Sequence, residues 1–386
     1  MARALLALIL CAIAPLRLSA QFESVDRAMQ AGVARGVYPG AVVVIGTSTR
    51  ILHAQGVGHF TWSERSAVPS ADSTRWDIAS LTKVVATTAA VALLVDQGKL
   101  ALDAPVARYL PRFTGGERPR VTVRMLLEHT SGLPAGLAPT QRRVPRDSLI
   151  TIIYHTPLRR TPGAAEQYSD LNAILLGLIV EQVSGRPLDR FVTEAVFTPL
   201  GMASTRFLPP AALRPRIAPT AQWHGTPLAG EVNDRTAGWL GGVAGHAGLF
   251  STGADLARYA QWWLRHGVLP SGAAALRPAT MDTFLLAAPM SHARLLGWES
   301  RTTTEYTPSP YGALPSERAY GHTGYTGTMI LIDPARDLFV IFLTNRVYGP
   351  RVAKPFTALH EIRAQVMDAA VRAAPGACRA EIRPAC

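Results

Sequence analysis

Ser80 and Lys83 stand three residues apart in the stretch Asp77-Ile78-Ala79-Ser80-Leu81-Thr82-Lys83. On a helix that spacing puts both side chains on one face. A serine hydroxyl is a poor nucleophile until a neighbouring base takes its proton. A lysine does this where burial and nearby charge lower its pKa. The run from Leu81 to Gln97 is apolar and helical in pattern, and Gly98 stops it. Ser80 is therefore expected at a helix amino end, whose partial positive charge favours a developing oxyanion. Alone the pair is a weak signal, because a capping serine followed by an exposed lysine has the same spelling.

Two further clusters sharpen it. Tyr168-Ser169-Asp170 follows the breaker Thr161-Pro162-Gly163 and precedes a helix starting at Leu171. A tyrosine there can share a proton with a Ser/Lys pair, and Asp170 can bond the lysine or a substrate amide. His322-Thr323-Gly324-Tyr325 leads into a strand from Thr328. The glycine lets a substrate lie along the strand edge, and backbone N–H groups beside it can face an oxyanion. Each cluster also has a plain structural reading: a core tyrosine beside a helix cap, and a glycine-rich loop entering a strand.

The elements that position these residues are legible in outline. Helical spacing covers Phe22 to Val37. Strands rich in Val and Ile are expected at Ala41–Ile45 and Ile51–Phe60, and again at Thr328–Asp333 and Leu338–Thr344. Between them lie helical pieces at Val123–His129, Leu171–Val183, Leu188–Val196 and Asp255–His266, with a capping box at Thr252 and Asp255. Phe356–Ala373 closes as a helix. The expected fold class is α+β, an α/β sandwich. One antiparallel sheet is built from both termini and flanked by helices, with a mostly helical insertion and a cleft where the two parts meet. A doubly wound parallel sheet would need strands alternating with helices through the middle, and the sequence shows none there.

The first 20 residues read as a signal peptide: Arg3, an apolar stretch from Ala4 to Pro15, and cleavage near Ala20. Export to the periplasm or medium is the expectation. No other segment holds 18 apolar residues without a charge, so no transmembrane anchor is expected. Cleavage removes Cys11 and leaves Cys378 and Cys386 of the 3 cysteines. An oxidising compartment lets these two close a small loop; two free thiols on a tail are the alternative. The net charge of +12 rests on 39 basic residues, of which only Lys83, Lys99 and Lys354 are lysine. The arginines are scattered, with no run of five, whereas a nucleic-acid binder would gather them on one stripe. No nucleic acid is expected as a partner. The sequence also lacks a Gly-x-Ser-x-Gly elbow, and His360-Glu361 has Ala364 where a zinc-protease helix needs His. His129 and His246 read as structural. Neither a metal nor a cofactor is expected.

Taken in order, the three clusters resemble the serine β-lactamase superfamily, on the branch of class C β-lactamases, penicillin-binding proteins, D-peptidases and esterases. Leu126-Leu127-Glu128-His129-Thr130-Ser131-Gly132-Leu133-Pro134 and the phrase from Gly241 to Thr252 look like the same family. The resemblance spans roughly residues 22–370. It implies that Ser80 is the acylated nucleophile, Lys83 its base and Tyr168 the relay to the leaving group. The backbone N–H groups of Ser80 and Tyr325 form the oxyanion hole, and Asp170, His322, Thr323 and Gly324 bind substrate. Two positions depart from the family pattern: Asp170 stands where Asn is usual, and His322 where Lys is usual. Imidazole is mostly neutral near pH 7. Carboxylate-bearing substrates are thus expected to bind better towards pH 6, and small esters to be preferred over β-lactams. The candidate partners are small-molecule esters, D-amino-acid peptides and β-lactams. A penicillin-binding-like protein without activity is the rival reading, although it would normally have lost Ser80 or Lys83. The domain expectation is 1–20 leader, 21–375 hydrolase domain and 376–386 tail. The sheet parts lie near 21–75 and 290–375, and the insertion near 81–285.

Overall fold

The computed structural model describes residues 21–138, 143–223, 225–285, 294–303, 306–349 and 355–374. The expected leader, Cys378 and Cys386 lie outside the described residues. From the amino end come α1 (Glu23–Ala34), β1 (Gly40–Gly46), β2 (Ile51–Gly58) and β3 (Trp76–Asp77). A middle region carries α2 (Ala89–Asp96), α3 (Val123–Leu127), α4 (Arg146–His155), α5 (Asp170–Ser184) and α6 (Leu188–Val192). It continues through β4 (Arg206–Phe207), β5 (Ala221–Trp223), β6 (Thr226–Leu228), α7 (Arg235–Trp239), β7 (Leu249–Ser251), α8 (Gly253–Leu264) and α9 (Pro278–Leu285). The carboxyl end supplies β8 (Glu299–Ser300), β9 (Tyr320–Thr323), β10 (Met329–Asp333), β11 (Leu338–Thr344) and α10 (Phe356–Ala373).

The main sheet runs β2-β1-β11-β10-β9-β8 and is antiparallel throughout. Its centre joins the two ends of the chain, with Val43 opposite Phe342. Every residue of β1 and β11 is buried. Strands covered on both faces read as unbroken apolar runs, which is why Ala41–Ile45 and Leu338–Leu343 show no alternation. Val42, Val44, Ile341 and Leu343 pack with the middle helices. Ala41, Val43, Ile45, Val340 and Phe342 pack with Val25 and Met29 of α1 and Leu359, Ile362 and Val366 of α10. The sheet is thus the middle of three layers.

Three local readings change. The helix expected from Leu81 to Gln97 opens with a wide π-helical turn, Lys83–Thr88, before α2. Such turns move side chains off the regular α positions and recur at functional sites. The middle region does contain strands, because β3, β7 and β4 form a small antiparallel sheet. Runs of two or three residues leave no period for a sequence reading to detect. At α8, Thr252 Oγ1 accepts from Asp255 N, but the Asp255 carboxylate turns away to Ser204 N and Thr205 Oγ1. Half of the expected capping box is therefore formed.

Candidate active site

The nucleophile turn is the continuation of β3. Asp77 is buried, and its carboxylate accepts from Ala79 N at 2.8 Å and Asn233 N at 2.7 Å. Burial raises its pKa to about 6 against the effect of those two bonds. Thr326 Oγ1 donates to Asp77 O and Thr328 Oγ1 to Ile78 O. These contacts hold Ala79 at φ +47°, a left-handed conformation that costs an alanine about 1 kcal/mol or more. Ser80 follows, at the start of the helical turns. Gly324 crosses directly over this turn: a Cβ there would stand 2.1 Å from Thr328 Oγ1 and 2.8 Å from Ile78 O. Only glycine permits the approach. Among the described residues the amides of Ser80 and Tyr325 donate to no backbone acceptor.

Lys83 is 3% exposed, and its Nζ reaches Ser80 Oγ at 3.0 Å, His246 O at 3.2 Å and Asp170 Oδ1 at 2.7 Å. An ammonium has three N–H donors, and three acceptors meet them. Burial acts to lower the Lys83 pKa, but Asp170 and then Tyr168 outweigh it, and the net displacement is upward. Tyr168 OH donates to Ser80 Oγ at 3.0 Å. Burial raises the phenol pKa and Lys83 only partly offsets it. At rest, then, the Ser80 oxygen accepts from two donors. Two cations lie near the tyrosine ring, Lys83 Nζ at 4.9 Å and the Arg294 guanidinium at 5.1 Å from its centroid.

His129 fixes this segment from behind. Its Nδ1 accepts from Ser169 N at 3.1 Å and Asn172 Nδ2 at 3.0 Å, and its ring packs 4.8 Å from that of Tyr168. Burial, then Arg294 and Lys83, push its pKa well down, so it serves as a neutral acceptor. Its structural reading stands.

Ser80, Tyr168, Asp170, Thr323, Gly324 and Tyr325 line one cavity of about 390 Å³, with Lys83 just behind the surface. His322 is placed elsewhere. It is 1% exposed, its Nδ1 bonds Thr323 O, and its Nε2 faces Glu299 Oε1 at 3.7 Å. Burial carries its pKa down to about 4 against the pull of Glu299. The expected strengthening of carboxylate binding towards pH 6 is therefore corrected: this imidazole stays neutral there and points into the protein.

The sequence reading passed over several residues. Glu299 is fully buried between Arg294, Tyr306 and Tyr311. Arg294 also bonds Glu166 at 2.7 Å. Asp234 and Arg363 line the cavity, and so does His246, which the sequence reading took as structural. Asp234 Oδ1 accepts from Ala237 N and meets His246 Nε2 at 2.9 Å. Its pKa falls to about 2, because bonds to His246 and Ala237 outweigh the raising effect of burial. His246 sits inside the Gly241–Thr252 phrase, which carried a signal. Asp234 and Arg363 carried none, one being a loop acid and the other one of many scattered arginines.

The chain matches the Beta-lactamase family over residues 25–364. It is 33% identical over 317 residues to the Escherichia coli K12 protein provisionally named D-alanyl-D-alanine carboxypeptidase, covering 75% of this chain and 72% of that one. It is 33% identical over 364 residues to the N-acetylmuramyl-L-alanine amidase of Bacillus subtilis 168, covering 86% and 82%. A penicillin-binding protein homologue from Caulobacter crescentus superposes with TM-score 0.73 at 21% identity, over 92% of this chain and 98% of its own. These matches, together with the α+β architecture, make the chain a member of the beta-lactamase family of hydrolases.

Proposed function

We propose that the protein is an exported serine hydrolase that passes an acyl group through Ser80, acting on small esters or on amides of amino acids. One observation carries this reading: Ser80 Oγ lies 3.0 Å from both Lys83 Nζ and Tyr168 OH, at the wall of a ligand-sized cavity. In acylation the Ser80 oxygen bonds the substrate carbonyl carbon, and the bond to the leaving group breaks. The serine proton passes through the Lys83–Tyr168 pair to the leaving atom. The amides of Ser80 and Tyr325 hold the oxyanion. Water then attacks the acyl ester, returning the proton to Ser80 and releasing acid. Because Lys83 rests as a fully bonded ammonium, the pair must first give up a proton, so turnover rises towards alkaline pH.

Export rests on the amino-terminal pattern of Arg3 and the apolar stretch after it. Among the described residues, no helix is long and apolar enough to cross a membrane. With His322 turned inward, Arg363 is a buried cation lining the cavity, its Nη2 donating to Gly324 O and Thr328 O. It stays charged, although burial lowers its pKa to about 10. The test is a panel on purified mature protein: p-nitrophenyl butyrate, a chromogenic cephalosporin and a D-Ala-D-Ala peptide. Ester turnover that depends on Ser80, with slower cephalosporin turnover, is expected. A kcat/KM for cephalosporin about a hundredfold above that for the ester would overturn the substrate reading.

A further inference from the structure

The cavity at Ser80 has an aromatic wall whose rings take no part in the acyl transfer. Tyr325, Phe356, His360 and Tyr306 line it. They come from three places in the chain: the turn after β9, the first two turns of α10, and the loop between β8 and β9. The rings run in series. Tyr325 and Phe356 have centroids 5.5 Å apart, Phe356 and His360 6.2 Å, and His360 stands edge-on to Tyr306 at 5.2 Å. These are distances at which aromatic pairs attract. Tyr325 is 61% exposed, and among the described residues it is the one aromatic among the exposed large hydrophobic side chains. An apolar residue exposed singly is common, but this one continues a row of three other rings inside a cavity.

The wall is held in place. The Arg346 guanidinium lies 3.9 Å from the Phe356 centroid, and Tyr306 OH bonds Glu299 Oε1 at 3.0 Å and Thr323 Oγ1 at 3.2 Å. Rings fixed in this way lose little freedom when a ligand packs on them. Charge narrows the choice of ligand. No carboxylate belongs to this wall, and Glu299 behind Tyr306 is matched by Arg294. Arg346 stacks on Phe356, and Arg363 lies one turn along α10 from His360. Burial, then Arg363 and Arg346, lower the His360 pKa to about 4, so its ring is neutral at pH 7. A cationic ring would meet like charge here, and an uncharged one would not.

We propose that this wall holds a flat, uncharged aromatic ring of the substrate, so that esters carrying such a ring are the preferred class and Phe356 is a specificity-determining residue. The inference rests on the serine-hydrolase reading for which atom is attacked. On that reading Tyr325 supplies both an oxyanion amide and the exposed ring. The wall therefore begins beside the reacting carbonyl, within reach of a ring joined to the ester through one methylene. Stacking and edge-on contacts distinguish such a ring from a saturated one of the same size. A merely apolar surface would instead favour the saturated ring, which has more hydrogen-covered apolar area to bury.

Two arms test this. In the first, benzyl acetate is compared with cyclohexylmethyl acetate, and ethyl phenylacetate with ethyl cyclohexylacetate, on the intact protein. The two pairs place the ring on the alcohol side and on the acyl side of the bond. In at least one pair the aromatic ester is expected to have a kcat/KM about threefold or more higher, and Phe356→Leu is expected to bring that ratio towards one. Ratios at or below one in both pairs, or a preference that Phe356→Leu leaves intact, overturn the proposal. In the second arm, Ser80→Ala protein is titrated calorimetrically with N-benzylacetamide and N-(cyclohexylmethyl)acetamide, and with the amides of phenylacetic and cyclohexylacetic acid, which needs no turnover. Tighter binding of an aromatic amide than of its saturated partner supports the proposal. Equal or weaker binding of both aromatic amides overturns it. Absence of all ester turnover and of any covalent label on Ser80 would remove the hydrolase reading instead, and the titration would still decide the aromatic site.

Discussion

Two ion clusters lie against the Tyr168 ring, and they differ in what they are open to. On one side Lys83 meets Asp170, whose carboxylate is 34% exposed to the cavity. On the other Arg294 meets Glu166 and Glu299, and His322 faces the same Glu299, which is fully buried. The first pair can exchange protons and partners with a substrate. In the second, Glu299 is sealed from solvent, and its carboxylate is satisfied by Arg294, Tyr306 and Tyr311. Ion pairs of the same chemical kind therefore serve different ends according to solvent access. On the proposed reading the open one serves the reaction, and the closed one ties Arg294 to Glu299 of β8 and to Glu166.

The largest effect separating the clusters is expected at Ser80 itself. Ser80→Ala should lower kcat for p-nitrophenyl butyrate by about 10³-fold or more while leaving the denaturation midpoint nearly unchanged. Retained turnover in this variant would show that the open cluster serves another nucleophile.

The sealed cluster should show the reverse pattern. Glu299→Gln removes the fully buried one of the two carboxylates beside Arg294, leaving Glu166, and is expected to cost about 1–3 kcal/mol of stability, read as a lower urea midpoint at unchanged slope. A midpoint equal to that of the parent protein would mean that Glu299 is not the anchor of this network.

A smaller effect should appear in the pH profile. The Asp170 carboxylate is the largest influence raising Lys83, so Asp170→Asn removes it and lets the lysine lose its proton sooner. Asp234, Tyr168 and Arg294 still face the site. The alkaline rise in ester turnover is expected to move down by about one to three pH units. A rise that stays in place would show that Lys83 is not the group being titrated.

The smallest expected effect is at His322. With its pKa near 4 and its Nε2 towards Glu299, it should not contribute to carboxylate binding between pH 8 and pH 6. The pH dependence of KM for a carboxylate-bearing peptide should agree within about twofold between the parent protein and His322→Asn. A gain towards pH 6 that the variant loses would return the imidazole to the substrate.

This contrast also explains what the sequence made legible. Ser80, Lys83, Tyr168 and Asp170 lie in short stretches whose spacing itself has chemical meaning, and the structure brings them together. The central strands were readable because burial on both faces leaves continuous apolar runs such as Leu338–Leu343. Glu299, Arg294, Asp234 and Arg363 were not readable. Arg294 and Arg363 act through partners distant in the chain, Glu166 and Gly324, and Glu299 and Asp234 through nearer partners at irregular spacings, so local pattern carries no trace of these pairings. His322 misled for a related reason: it stands beside Thr323 and Gly324 in the chain, but it is buried facing Glu299, which only the pairing of β8 with β9 brings near.

The central claim is that Ser80 forms the acyl-enzyme. Its most direct test is intact-mass analysis after a fluorophosphonate probe, with peptide mapping of the adduct. One adduct per chain is expected, on Ser80, and none in Ser80→Ala. An adduct on another serine, or one that persists in Ser80→Ala, would contradict the account.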